Sequence, residues 1–202
     1  MGIDWRYTCY CVYADVYRNI GMFSKTILIK EFFSNKSTVS LLIYFRLCRY
    51  YANKKRNMLE YLIHAFLYWK FCKKQVLMGI ELNQRTDIGY GIRLPHRGGI
   101  VLHPNVKIGN NCEIMQGVTI GNNILKSRTR VATIGDNVIL GAGAKIIGPV
   151  TIGSNIIIGA NAVVTHDVKD NCTVAGVPAR KISILNEVYS INIDYQGREK
   201  WR

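Results

Sequence analysis

Large aliphatic side chains recur every six residues through the second half of the chain, at Ile134, Leu140, Ile146, Ile152, Ile158 and Val164. A second set, small or branched, follows four places behind at Val138, Ala144, Val150, Ile156, Ala162 and Val168. A helix repeats about every 3.6 residues and a strand about every two, so a six-residue beat specifies a repeat architecture. Positions eighteen apart also match: Ile134 with Ile152, Leu140 with Ile158, Ile146 with Val164. Three short strands would therefore make one coil of a triangular prism, each coil stacked roughly 4.8 Å above the last. The expected fold class is mainly β, a parallel β-helix preceded by an α-helical region.

The beat begins loosely near Leu82, passes Ile88, Leu94 and Ile100, and slips by two residues before Ile108, Ile114 and Ile120. It fails over residues 122–133, a polar and basic segment between two in-phase coils, and resumes at Ile134. Such an interruption predicts a loop thrust out from the prism, where function concentrates more than stability. Regular coils should end near Val168–Lys169, with residues 171–182 capping the open end. Three parts follow: a basic helical region over 1–80, a β-helix over 81–182 with its extruded loop at 122–133, and a tail over 183–202. Within the first part the pattern predicts helices over Thr38–Tyr51 and Asn57 to Leu77, with a candidate helix at Lys25–Phe33 and little pattern elsewhere before residue 37.

The net charge of +14 is unevenly spread. Residues 1–80 hold 13 Lys and Arg against 4 Asp and Glu, whereas residues 81–202 hold 14 against 9. The charge suggests an anionic partner at the helical region; the first reading of its two basic amphipathic helices is a packed hairpin, and the second is contact with a peripheral membrane surface or a lipid-linked substrate. Nucleic acid is not expected, because no groove-reading helix or stacking-aromatic motif accompanies the charge. Six cysteines lack zinc spacing, and the opening MGIDWRYT lacks the apolar core of a signal peptide. A cytoplasmic protein with reduced thiols is expected, placed at the inner face of the membrane if the basic helices engage lipid.

The repeat, together with QGVTIG (Gln116–Gly121), LGAGAKIIGPV (Leu140–Val150), IGANAVVTHDV (Ile158–Val168) and GVPAR (Gly176–Arg180), resembles the hexapeptide-repeat acyltransferases. Within that family the chain is similar to serine acetyltransferases and to their relatives that O-acetylate capsule and exopolysaccharide. The resemblance implies a left-handed helix, a homotrimer or dimer of trimers with active sites between prisms, acetyl-CoA as donor and no metal cofactor.

Acyl transfer to a hydroxyl needs a base, a group to orient it, and donors for the oxyanion. His96, in RLPHRGG, stands where similar enzymes place their catalytic histidine, and Glu81, fifteen residues earlier, stands where they place its carboxylate partner. With coils of about eighteen residues, these two positions should lie nearly one above the other on adjacent coils. His103 in VLHPN is the rival base, and His64 is expected to be packed or solvated on its helix. The resemblance assigns Gly121, Ala142, Ala160 and Arg180 to acetyl-CoA, and also Lys145, Thr165 and His166. Pro95, Arg97, Lys126, Arg128 and Arg130 are expected to face the acceptor. Cys112 and Cys172 fall on repeat positions and should be core residues.

The serine enzymes carry an aspartate immediately before the catalytic histidine and an Arg-His pair in the loop. Here those positions are Pro95 and Arg130-Val131. An ammonium without its partner is costly to bury. The expectation is therefore a carbohydrate acceptor, a sugar hydroxyl of capsule, O-antigen or exopolysaccharide or of its precursor. Serine O-acetylation in cysteine biosynthesis is the alternative, and a non-catalytic scaffold is the reading of another class. A carbonic anhydrase would need three metal-binding histidines, and only His96 and His103 are close in the coils.

Overall fold

The structure is a computed structural model that describes residues 4–125, 127, 129–184 and 192–194. It is mainly β, a left-handed parallel β-helix preceded by four helices: α1 (Trp5–Ile20), α2 (Lys25–Phe33), α3 (Thr38–Ala52) and α4 (Met58–Met78). The helices expected after residue 37 and at Lys25–Phe33 are present. Helix α1 was not expected. Asn57 begins α4 with a capping box, its side chain accepting from the Glu60 amide while the Glu60 carboxylate accepts from the Asn57 amide. Gly79 ends the helix in the left-handed conformation (φ 61°).

Three parallel sheets form the faces of the prism. The first runs β1 (Ile80–Glu81), β3 (Ile100–Leu102), β6 (Thr119–Gly121), β9 (Lys145–Ile147) and β12 (Val163–Val164). The second stacks β2 (Asp87–Ile88), β4 (Lys107–Ile108), β7 (Thr133–Ile134) and β10 (Thr151–Ile152). The third stacks β5 (Glu113–Ile114), β8 (Val138–Leu140), β11 (Ile156–Ile158) and β13 (Cys172–Ala175), and β14 (Arg180–Ile184) pairs antiparallel with β13 to close that end. The six-residue aliphatics all point inward: Ile134, Leu140, Ile146, Ile152, Ile158 and Val164 are buried in one continuous column. Cys112 and Cys172 are buried in it as well.

Coil length varies more than the uniform eighteen. Thr133 pairs with Thr151, an offset of eighteen, but Ile80 pairs with Ile100, an offset of twenty. Lys107 pairs with Thr133, an offset of twenty-six, because the loop lies inside that coil. The last coil tightens to sixteen, Ile156 against Cys172. Corners are standardised by polar stacks. Asn137, Asn155 and Asn171 adopt left-handed backbone, and their side-chain amides bond in a ladder at 3.1 and 3.0 Å. Asparagine tolerates that conformation because its short side chain bonds locally.

The helices dock on the β-helix through a buried polar clamp. Asp15 of α1 and Arg46 of α3 pair at 2.7 Å, both almost wholly buried. Arg46 also donates to the Ile88 and Gly89 carbonyls, Arg18 to those of Gly91 and Asn111, and Asp15 accepts from the Ile92 amide. These groups satisfy the backbone of residues 88–92, which would otherwise be an unpaired edge. Burial pushes the Asp15 carboxyl up from its usual range, and Arg46 opposes that shift.

Candidate functional site

The site begins at the segment leading into β3. The Leu94 amide donates to Asn19 of α1 at 3.0 Å, and the Leu94 carbonyl accepts from Thr38 at the start of α3 at 2.7 Å. Arg93 pairs with Glu113 on the next coil at 2.8 Å. The backbone two residues before His96 is thus held from three sides. Beyond His96 the chain turns through Gly98 and Gly99, both at positive φ. Gly99, Gly117 and Gly143 form a column up this corner: a Cβ on Gly99 would lie 3.3 Å from the Gly117 Cα, and one on Gly117 would lie 3.3 Å from the Gly143 Cα. The corner accepts only glycine at these left-handed, closely stacked positions.

His96 and Arg97 are exposed and Pro95 half-buried. All three line a cavity of about 390 Å³ between the helices and the prism, shared with Asn19, Lys36 and Thr38. Its lining has no carboxylate and three cations, Lys36, Arg93 and Arg97, of which Arg93 is neutralised by Glu113. Lys36 went unrecognised in the sequence because it sits in a short interhelical turn, sixty residues from His96.

Glu81 is exposed at the end of β1 and faces a second cleft of about 440 Å³ beside α4, with Gln75, Val76 and Val101. The expectation that Glu81 and His96 stack directly is corrected. Their coil is twenty residues long, so the residue above Glu81 is Val101, and a fifteen-residue interval stops short of the stack. Among the described residues, neither side chain has a hydrogen bond or ion pair.

His103 is half-buried, and its Nδ1 accepts from the Asn105 amide at 3.1 Å, a local turn contact. His64 bridges α4 to the first coil, contacting Arg56 and Gln84 and stacking near Tyr68. Both fit structural roles. Gly121 ends β6, and a Cβ there would meet only the Ile147 side chain, at 3.9 Å, which leaves the edge of the prism open. Ala142 is half-buried and Ala160 exposed at neighbouring corners, where the Asn161 amide donates to the Ala142 carbonyl. Lys145 is engaged by the coils, donating to the Gly117 carbonyl and to Thr119. Thr165 and His166 are exposed after β12, and Arg180 is exposed with its guanidinium on the Ala179 carbonyl. In the loop, Arg130 is exposed and Val131 packs on the core, whereas Lys126 and Arg128 lie outside the described residues. Asn105 ties the loop to the prism through the Thr129 carbonyl.

The Cys112 thiol is pushed up to about 12 by burial, which removes it from nucleophilic chemistry. Among the described residues no group of three or more His, Cys, Asp and Glu could hold a metal ion, and no helix is long and apolar enough to cross a membrane.

Comparison with known proteins bears on the family and the fold. Residues 132–166 match the bacterial transferase hexapeptide model (six repeats), and residues 104–125 match the hexapeptide repeat of succinyl-transferase. A serine acetyltransferase of Synechococcus elongatus is 42% identical over 108 residues, 54% of this chain and 44% of the relative. That of Haemophilus influenzae is 34% identical over 139 residues, 69% of this chain and 49% of the relative. The chain spans about half the length of these curated relatives. Among solved structures, serine acetyltransferase of Brucella abortus in complex with coenzyme A is 26% identical with a TM-score of 0.67, covering 90% of this chain and 68% of that one. The Neisseria gonorrhoeae enzyme in complex with serine is 28% identical with a TM-score of 0.63, covering 86% and 68%. These findings support the hexapeptide-repeat acyltransferase family. They overturn the expected capsule or exopolysaccharide branch and its carbohydrate acceptor, since the relatives are serine acetyltransferases. That expectation let two positions, Pro95 and Val131, outweigh similarity running through all the coils.

Proposed function

We propose that this hexapeptide-repeat chain is an acetyl-CoA-dependent serine O-acetyltransferase, the activity that feeds cysteine biosynthesis. The observation that carries the reading is the cavity beside His96, sized for a small acceptor and rimmed by Lys36 and Arg97. Its setting, on coils similar to those of serine acetyltransferases, supports the same acceptor. His96 takes the proton from the serine hydroxyl as its oxygen attacks the thioester carbonyl. The C–S bond then breaks, and the protonated imidazole returns its proton to the departing thiolate. Glu81, at the interval at which similar enzymes place the carboxylate partner of their histidine, is the group assigned to orient the imidazole. Lys36 and Arg97 hold the serine carboxylate.

On the donor side, Gly121, Ala142, Ala160 and Arg180 line the pantetheine path, with Thr165 and His166 at its far end. Lys145 serves the coil corner first. Arg130 approaches the acceptor from the loop. Three chains associate so that sites form between prisms, and the enzyme works in the cytoplasm. Contact of residues 1–80 with a lipid surface is compatible with this activity, because Leu62, Phe66 and Trp69 of α4 line neither the His96 cavity nor the Glu81 cleft.

The reading is tested by following free thiol from acetyl-CoA with L-serine and a panel of other hydroxyl acceptors. His96→Ala should lower kcat by about 10²–10⁴-fold, and Glu81→Gln should lower it less. Pro95→Asp should raise kcat/KM for L-serine by about tenfold or more, because it supplies the missing partner for the ammonium. Faster turnover of any other acceptor than of L-serine would overturn the proposal.

A further inference from the structure

Two stripes of opposite character run along α4. Leu67, Phe71, Lys74 and Met78 are buried against the rest of the molecule. On the opposite face Leu59, Leu62, Phe66, Trp69 and Val76, spaced at threes, fours and sevens, are between 48% and 86% exposed. A helix normally hides its apolar stripe, and here a second large one faces outward.

The basic side chains are arranged around that stripe. The Lys73 ammonium sits 4.2 Å from the centre of the Trp69 ring and that of Lys70 5.2 Å from it. Both, with Trp69 and Lys74, line a groove of about 440 Å³ at the end of the helix, and no lining residue is acidic. Over residues 53–79 six basic residues face one acid, Glu60, which is already engaged by Lys54. Burial and the nearby Lys70 lower the Lys74 pKa, and Glu31 opposes them.

From this arrangement we infer that α4 is an interfacial docking helix for an anionic lipid bilayer, laying Leu62, Phe66 and Trp69 among the acyl chains while Lys70 and Lys73 meet lipid phosphates. Charge complementarity selects this occupant. A second α4 facing this one would bring six basic residues and one acid over 53–79 against the same set, whereas an anionic membrane attracts them. An amphipathic helix with aromatic and leucine residues on one face and lysines beside them is suited to lie in the interface without spanning it.

Sedimentation of the full chain with vesicles of phosphatidylcholine, with and without phosphatidylglycerol, tests the inference. Binding is expected only with phosphatidylglycerol. It should fall by about tenfold or more in Lys70→Glu/Lys73→Glu and separately in Phe66→Ser/Trp69→Ser. These positions are exposed, so thermal unfolding and acetyl transfer in solution should be unchanged, which separates this inference from the proposed activity. Failure to bind phosphatidylglycerol vesicles would overturn it. So would equal binding without the anionic lipid, or an oligomer in solution that Phe66→Ser/Trp69→Ser dissolves.

Discussion

At the scale of the residue, burial decides which groups can react. Cys48 and Cys112 are fully buried, and burial pushes each thiol up to about 12. At pH 8 only about one thiol in 10⁴ would be ionised at such a pKa, so neither should alkylate in the native protein. Native-state labelling with iodoacetamide followed by peptide mass spectrometry should find both unmodified and denaturation should expose both; rapid native labelling of Cys112 would contradict the burial. The core cysteines of the β-helix were legible as repeat positions, Cys112 standing four places after Ile108 where the small or branched set falls and Cys172 pairing with Ile156 in the shortened last coil. Lys36 was not, since what makes it part of the cavity is a contact between parts of the chain sixty residues apart. The alignment of Glu81 with His96 was legible as an interval but misjudged as a geometry. The sequence pattern was tightest after Ile134, and its eighteen-residue coil does not carry back to the twenty-residue first one.

Among the elements, the β-helix was readable because every coil repeats one burial rule, and the helices after residue 37 because their caps and spacing are ordinary. Helix α1 was hidden by its own chemistry. Every residue from Tyr10 to Arg18 is buried, the tyrosines, Asp15 and Arg18 together with Val12, Ala14 and Val16, so no one-sided hydrophobic period shows. The loop was legible by its failure to repeat. Its coil is eight residues longer than the eighteen of its neighbour, so removing residues 123–130 should restore the common length. Loop-closure cost changes slowly with length, and stability should move by no more than about 1 kcal/mol. Thermal unfolding and coenzyme A binding should therefore persist in the excised variant while kcat/KM for the acceptor falls. Unfolding of the prism would show that the loop instead carries stability.

For the whole molecule, the clamp between helices and prism is the joint that matters. Arg46→Met would leave Asp15 buried without its partner and strip donors from the Ile88 and Gly89 carbonyls. Losing one member of such a pair costs about 3–5 kcal/mol, which urea denaturation should register, with Asp15→Asn/Arg46→Met recovering part of the loss. Because the same clamp fixes residues 88–92, four residues short of His96, the single variant should also lower kcat in the protein that remains folded. An unchanged midpoint would show that the helices dock by apolar packing alone.

The twenty-six-residue coil has one more consequence. Lys107 and Ile108 meet Thr133 and Ile134 in the same alignment that every other coil keeps, as though the intervening excursion had never been made. That one corner therefore works as a docking bay: sequence is let out there, and the next coil still begins at its assigned place. Under the proposed function, with the loop approaching the acceptor, that face can change in sequence while the wall behind it keeps its register, so acceptor preference can shift without the scaffold being built again.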